Sequence, residues 1–348
     1  MRRQENDPQI TRPKKILFVA IYLTILAAFI IITSEAILRW KGFRPWQPDE
    51  IVIKVNPGGR LYARHPTLGY ANIPGEFTVT LSDGYSFTVT NLPDTLRITQ
   101  PRSNYGEVGK KAEIWIFGCS LTYGWSLNDQ ETFPWLLQEK FPQFEVVNFG
   151  VNGYGTVQSL IQLRQALAKG RVPKVVVLNF ASWHDERSLF ARNWQKIFAP
   201  YNKLGQLEYP YARLDRNGKL IYYRGKVKYN EFPCMRHSAL SYFIEQKYDR
   251  LEEHFCHIRQ VTKALLLEFA NTAKQHNIPA VVAGITYSKP TRDMLSFVQE
   301  NGFKTVDIAV DLNMRENTNY PHDGHPSARA NKKYADKLEA FLRAKVLE

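Results

Sequence analysis

Cysteine is scarce in this chain, and repeats are missing altogether. The 348 residues include only three cysteines, Cys119, Cys234 and Cys256, and no spacing among them resembles a zinc site. Cys234 and Cys256 could form a disulfide, with two independent free thiols as an equally open alternative. There are no long internal repeats and no low-complexity tract, so nothing indicates a repeat architecture.

Acidic charge is also in short supply. Asp and Glu total 33 against 46 Lys and Arg, which gives a formal net charge of +13. A basic chain can indicate nucleic-acid binding, but here Lys and Arg are scattered and no nucleic-acid motif is present. A domain that faces an anionic envelope or membrane surface would explain the charge. A well-solvated basic surface without a specific partner explains it more simply, and we expect no nucleic-acid partner.

One apolar run is long enough to cross a membrane. Residues 16–34 are uncharged and mostly apolar, and as a helix they would come close to the roughly 30 Å thickness of a bilayer core. The main alternative is a signal peptide, whose apolar region is usually about 7–15 residues long with small residues before the cleavage site. Residues 33–37 make a poor cleavage site. The sequence therefore favours an uncleaved transmembrane helix over 16–38.

The basic residues around this run predict its orientation. Five precede it and three follow it, which favours a cytoplasmic tail of residues 1–15 and a single-pass protein with its N-terminus in the cytoplasm. These residues are Arg2, Arg3, Arg12, Lys14 and Lys15, then Arg39, Lys41 and Arg44. The remaining ~300 residues would lie outside the cytoplasmic membrane, in the periplasm or at the cell surface.

Two regions follow the anchor. Residues 44–111 are rich in Pro and Gly, and residues 77–81 and 85–90 alternate apolar and hydroxyl side chains around a turn, which predicts a β-hairpin in a small β-rich lead-in. Its simplest role is a spacer and lid.

Residues 112–348 alternate strands and helices, which predicts a doubly wound α/β domain with a parallel sheet and an insertion over about 186–253. The predicted strands are 114–117, 145–149, 174–180, 279–285 and 304–308, and the predicted helices are 132–140, 157–169, 258–275, 292–301 and a last helix from Pro326.

Reactive side chains fall at the ends of these strands. Ser120 follows the first strand on a glycine turn, and a late loop carries Asp323 and His325. Ligands bind beyond the carboxyl ends of the strands in such a sheet, so one crevice could gather these groups. Each has a simpler interpretation, since Ser120 could cap a helix and the late loop could be a plain turn. Together they are the residues of an acyl-transfer enzyme with a serine nucleophile.

Three segments resemble the conserved blocks of the SGNH, or GDSL, hydrolases. Residues 117–124 (Phe-Gly-Cys-Ser-Leu-Thr-Tyr-Gly) are similar to the first block, residues 147–153 to the second, and residues 323–327 (Asp-Gly-His-Pro-Ser) to the last. The resemblance covers about residues 113–348. It implies a three-layer α/β/α, flavodoxin-like sandwich with a catalytic triad of Ser120, Asp323 and His325, and it implies no cofactor and no metal.

The resemblance also implies an oxyanion hole, formed by the amides of Ser120 and Gly153 and the side chain of His184. The chain departs from the family pattern at this last position, where Asn is usual, and Asn179 is the alternative donor. It departs again at Cys119, where the family has Asp, and in the single residue between Asp323 and His325 instead of two. Cys119 as the nucleophile is disfavoured, because its side chain should point away from that of Ser120.

The predicted function is that of a membrane-anchored enzyme that acts on O-acyl esters. The anchor and the family resemblance favour an acylated envelope glycan as substrate, with water or a sugar hydroxyl as acceptor and a multispanning acyltransferase as a partner in the second case. An esterase for lipid or small esters is the first alternative, suggested by the anchor and by an aromatic insertion (Trp183, Phe190, Trp194, Phe198 and Tyr201). A non-catalytic glycan-binding or scaffold protein with a degenerate site is the second.

Overall fold

A computed structural model describes residues 11–48, 53–107 and 111–347. The chain divides into two compact units, one made of residues up to Pro48 together with Asn230–Leu251, and one made of Asp49–Tyr229 together with Glu252–Glu348. Arg2 and Arg3, which contribute to the predicted orientation, lie outside the described residues.

The first unit contains a long N-terminal helix, α1 (Arg12–Trp40), none of whose residues is buried. The helix is long and apolar enough to cross a membrane, and a signal sequence would satisfy the same criteria. The predicted apolar helix is therefore present, and it extends past the predicted end at residue 38.

The last turns of α1 are hydrogen-bonded to the chain around residue 239. The Glu35 carboxylate accepts hydrogen bonds from the amides of Ala239 and Leu240, at 3.0 and 2.8 Å, and from the Ser238 hydroxyl at 2.8 Å. A carboxylate at the start of a helix satisfies amides that have no acceptor within that helix. The end of α1 is therefore hydrogen-bonded to the start of α7 within the first unit.

The second unit is built on a parallel sheet of five strands in the order β12-β11-β8-β6-β7. The strands of the protein are β1 (Lys54–Asn56), β2 (Tyr62–His65), β3 (Gly69–Asn72), β4 (Gly75–Thr80), β5 (Ser86–Asn91), β6 (Glu113–Phe117), β7 (Glu145–Asn148), β8 (Val175–Phe180), β9 (Glu208–Leu214), β10 (Leu220–Lys226), β11 (Ala280–Thr286) and β12 (Lys304–Val310). Every residue of β8 and β11 is buried, because a central parallel strand is covered on both faces.

Helices cover both faces of this sheet. The helices of the protein after α1 are α2 (Ser120–Tyr123), α3 (Phe133–Lys140), α4 (Thr156–Ala168), α5 (His184–Leu189), α6 (Arg192–Phe198), α7 (Ala239–Phe255), α8 (Ile258–Gln275), α9 (Lys289–Glu300) and α10 (Ala328–Lys345). Trp115 and Phe117 of β6 pack into a core with α4 and α8, whereas Ile114 and Ile116 pack into a second core with α3 and α10. The predicted three-layer α/β/α architecture is confirmed.

The last helix begins later than the sequence predicted. Pro326 lies outside α10, because Ser327 is the cap residue and its hydroxyl accepts the amide of Ala330 at 3.3 Å. The predicted insertion contains the end of α5, the short helix α6, the antiparallel β9–β10 hairpin and most of α7, a 17-residue helix that the sequence analysis did not predict.

The β-rich lead-in is joined to the α/β sheet by Arg97. The predicted hairpin is present as β4 and β5, which belong to a three-stranded antiparallel sheet with β1. Arg97 forms isolated β-bridges with Asn91 on one side and with Asn148 of β7 on the other. Its guanidinium is fully buried and donates to the Thr88 carbonyl in β5 and to the Asp129 carboxylate. This part of the chain thus packs as one body with the sheet that carries the candidate site.

Candidate active site

Ser120 lies at the first position of α2, directly beyond the carboxyl end of β6. Ser120 is 7 % exposed, so its hydroxyl group lies in a recess and not on an open surface. The turn requires close backbone packing, because a Cβ atom on Gly150 would lie 2.5 Å from the amide nitrogen of Tyr123. Only glycine fits at position 150, where the chain leaving β7 passes against α2.

A continuous chain of polar contacts links Ser120, His325 and Asp323. The Nε2 atom of His325 lies 3.0 Å from the Ser120 hydroxyl oxygen. The other ring nitrogen, Nδ1, lies 3.3 Å from Oδ2 of Asp323. One imidazole therefore contacts a serine hydroxyl with one nitrogen and a carboxylate with the other, although residues 120 and 325 are far apart in the sequence. This is the arrangement in which a histidine can remove the serine proton.

The hydrogen-bond donors to the Asp323 carboxylate converge on one of its two oxygens. Oδ1 accepts hydrogen bonds from the His325 amide at 2.9 Å and from the Ser126 hydroxyl at 3.0 Å. Burial alone would raise the pKa of Asp323, but the hydrogen bonds and the nearby charge of His325 outweigh it and hold the pKa below its usual value. Asp323 is therefore ionised at neutral pH and can stabilise an imidazolium.

The oxyanion donors predicted for the first two blocks are backbone amides. The Ser120 amide is at the first position of a helix, where no intrahelical acceptor exists. Gly153 is partly exposed and has a φ of +79°, and a Cβ atom there would lie 2.4 Å from the Tyr70 hydroxyl. Glycine is thus required at position 153 by both conformation and space. The hydroxyl of Tyr209 donates to its carbonyl at 3.0 Å, which fixes the turn.

His184 begins α5 and is completely buried, with its ring packed edge-on against Phe180. Burial, and then the charge of Arg187, lower the pKa of His184 well below its usual value, so the imidazole is neutral. Neither ring nitrogen has a hydrogen-bond partner among the described residues. A ring N–H in this position is hidden from solvent, so it could reach an ester only after the side chain moves. Its role as an oxyanion donor stays a prediction.

The alternative oxyanion donor, Asn179, and the disfavoured nucleophile, Cys119, are both buried. Asn179, in β8, is buried and its Nδ2 donates to the Phe117 carbonyl at 3.2 Å. Cys119 is 1 % exposed and packs in the apolar core that includes Leu121 and Phe133. All three cysteines are free thiols in this structure.

Several supporting residues were missed by sequence reasoning. Ser126, Asn319 and Tyr85 surround the Asp323 carboxylate, directly or through one another. Each lies in a turn or loop and belongs to no family block, and only the run Ser-Leu-Thr-Tyr-Gly-Trp-Ser, which begins at Ser120, puts Ser126 near the site. Among residues 11–48, 53–107 and 111–347 there is no group of three or more His, Cys, Asp or Glu that could hold a metal ion.

Comparisons with known proteins find similar folds but no close relative. No protein-family model matches the chain, and no curated protein matches it. Among solved structures, a member of the lipolytic protein G-D-S-L family from Veillonella parvula is 11% identical with a TM-score of 0.39, over 67% of this chain and 99% of that one. The esterase EstA from Pseudoalteromonas is 11% identical with a TM-score of 0.38, over 68% and 100%.

The SGNH-hydrolase family esterase AlinE4 is 14% identical with a TM-score of 0.32, over 68% of this chain and 94% of that one. The likeness is thus to SGNH and G-D-S-L hydrolases, the family that the motifs resemble. Similarity at this level supports no conclusion about activity or substrate, for which the geometry of the site is the basis.

Proposed function

We propose that this protein is a serine hydrolase of SGNH type that acts on O-acyl esters. The observation that carries the proposal is the contact chain from Ser120 through His325 to Asp323, with separations of 3.0 and 3.3 Å. A hydroxyl in contact with an imidazole, itself next to an ionised carboxylate, is an activated nucleophile.

The reaction proceeds through an acyl-enzyme. The Ser120 hydroxyl oxygen attacks the ester carbonyl while its proton moves to Nε2 of His325, and the tetrahedral oxyanion is held by the amides of Ser120 and Gly153. His325 then returns the proton to the leaving alcohol. A second hydroxyl, from water or from a sugar, attacks the acyl-enzyme with the same proton transfers and releases Ser120.

The proposed substrate is an acyl group, most simply acetyl, on an envelope glycan, and the proposed location is outside the cytoplasmic membrane with α1 as a single-span anchor. The apolar helix supports the anchor. The family resemblance supports the acyl substrate. Transfer of the acyl group to a sugar, with a multispanning acyltransferase as partner, remains part of the proposal as the alternative outcome of the second step.

The packing of the insertion weakens one of the two grounds for the lipid-ester alternative. Phe190 and Trp194 are buried, and the insertion aromatics stack on one another, with ring centroids 5.3 Å apart for Trp194 and Phe198 and 5.0 Å for Phe190 and Tyr209. Side chains that form a core are not available to hold an acyl chain. Hydrolysis rates on acetyl and long-chain p-nitrophenyl esters test this point, and faster turnover of the long chains would favour the lipid alternative.

Active-site labelling tests the nucleophile. We expect a fluorophosphonate probe to label the wild-type chain and the Cys119→Ala variant, but not Ser120→Ala or His325→Ala. Equal labelling of wild type and Ser120→Ala would exclude Ser120. If no ester is turned over, and if Ser120→Ala fully complements a deletion strain, the non-catalytic alternative gains instead.

A further inference from the structure

Ser126 has an unusual backbone conformation next to the proposed triad. Its φ is +58°, in the left-handed region, and the residue is completely buried. Residues other than glycine adopt this conformation only at an energetic cost. Such strain persists only where the surroundings enforce it, and it concentrates at functional sites.

The strained backbone aims the Ser126 hydroxyl at the catalytic carboxylate. Its oxygen lies 3.0 Å from Oδ1 of Asp323. The side-chain amide of Asn319 donates to the Ser126 carbonyl at 2.9 Å and approaches the hydroxyl oxygen at 3.2 Å, so the hydroxyl proton is left for Asp323. The backbone amide of Asn319 in turn donates to the His325 carbonyl at 2.8 Å. Asn319 therefore links Ser126 to the segment that carries Asp323 and His325.

The lead-in hairpin contacts the same loop. The Tyr85 hydroxyl donates to the Ser126 carbonyl at 3.0 Å, and the Tyr85 ring stacks on His322 with centroids 4.2 Å apart. Nδ1 of His322 lies 2.5 Å from Oδ2 of Asp83 in the hairpin turn. The hairpin therefore touches both the residue that supports Asp323 and the residue that precedes Asp323.

The single-residue spacing between Asp323 and His325 explains why support is needed. With only Gly324 between them, Oδ1 of Asp323 turns back to its own loop and accepts the His325 amide, an Asx-type turn. Oδ2 then meets the imidazole at 3.3 Å, longer than an ordinary hydrogen bond. The carboxylate orientation therefore depends on a donor from outside the loop.

We infer that Ser126 is a positioning residue that orients Asp323 for His325, and that the β4–β5 hairpin holds Ser126 and the loop of residues 319–325 in position. The inference rests on the proposed function, because it concerns the same triad. It also gives the lead-in a role beyond that of a spacer.

Ser126→Gly is the decisive variant, because glycine accepts a φ of +58° without strain and removes the small side chain that carries the hydroxyl. We expect kcat on p-nitrophenyl acetate to fall about tenfold, as for loss of one hydrogen bond to a charged group, with KM and the thermal midpoint close to wild type. Tyr85→Phe should lower kcat less, by a few-fold. Ser86→Ala, a serine change on the same hairpin that keeps every contact described above, is the matched control and should behave as wild type.

A double-mutant comparison separates positioning from general damage. If Ser126 acts through Asp323, adding Ser126→Gly to Asp323→Asn should slow fluorophosphonate labelling less than twofold, whereas it slows wild-type labelling about tenfold. Wild-type kcat in Ser126→Gly, or an equal tenfold effect in both backgrounds, would overturn the inference and leave the proposed function intact. Absence of labelling in the wild type itself would instead overturn the proposed function.

Discussion

Replacing Arg97 by methionine should cost more stability than any surface change in this protein. The Arg97 side chain is fully buried and makes five hydrogen bonds, to the Asp129 carboxylate at 2.9 Å and to four carbonyls. These carbonyls belong to Tyr123 (2.9 Å), Gly124 (2.5 Å), Thr88 (3.1 Å) and Leu127 (2.7 Å). Three of the four belong to residues 123–127, close to Ser120 in the sequence.

The expected loss of stability follows from the groups that Arg97→Met leaves without a partner. Methionine fills much of the volume but donates nothing, so Asp129 becomes a buried charge without its cation. Breaking one side of a buried pair typically costs about 3–5 kcal/mol. For a chain of this size a loss of 1 kcal/mol lowers the melting temperature by about 2–4 °C, so a shift of roughly 10 °C is expected.

Urea and thermal unfolding of the full-length chain in detergent measure this loss, with Arg329→Met as the matched control. Arg329 is 63% exposed and lies 3.2 Å from Glu316, so its loss should cost no more than about 1 kcal/mol. Adding Asp129→Leu to Arg97→Met should recover part of the stability, because it removes the stranded charge. Equal effects of Arg97→Met and Arg329→Met would refute the reasoning.

Three further changes have expected outcomes. Burial raises the pKa of Asp185 from 3.8 to about 7, so the free energy of unfolding of the wild type falls as pH rises from about 4 to 7 and this carboxyl group is forced to ionise. Asp185→Asn should therefore become more stable than wild type across that window, by up to about 4 kcal/mol, as measured by urea titrations at several pH values. Asp323 has a lowered pKa, so its contribution is complete above its unfolded pKa and disappears as pH falls through the folded pKa; Asp323→Asn should be less stable than wild type at pH 7, with a gap that closes in acid. Gly150→Ala places Cβ 2.5 Å from the Tyr123 amide nitrogen, and should cost about 1–3 kcal/mol and slow fluorophosphonate labelling.

The fold was largely predictable because its signals are local. Continuous apolar runs such as residues 174–180 and helical periodicity over 258–275 each depend on a few adjacent residues, and both elements are present within one residue. The insertion was harder to interpret, because its aromatic residues pack on one another and on Tyr209, which gives no period in the sequence.

The supporting residues of the site could not be predicted for a different reason. Ser126 and Asp323 are 197 residues apart, and Arg97 meets Asp129 across 32 residues. Whether a serine adopts a left-handed backbone, or an arginine is buried, depends on partners that only the folded chain brings near. The motifs therefore located the reactive groups, whereas the residues that hold them became apparent only from the structure.

The β-bridge between Arg97 and Asn148 has a consequence for dissecting the protein. β7 is the last strand of the five-stranded sheet, and on its outer side it is met by the segment around Arg97, with the Thr99 hydroxyl donating to the Val146 carbonyl at 2.6 Å. An uncovered outer strand presents free amides and carbonyls to other chains and promotes aggregation. A fragment that begins at residue 112, the boundary suggested by the change in sequence pattern, would therefore expose β7, and we expect it to self-associate more readily than a chain that keeps the lead-in.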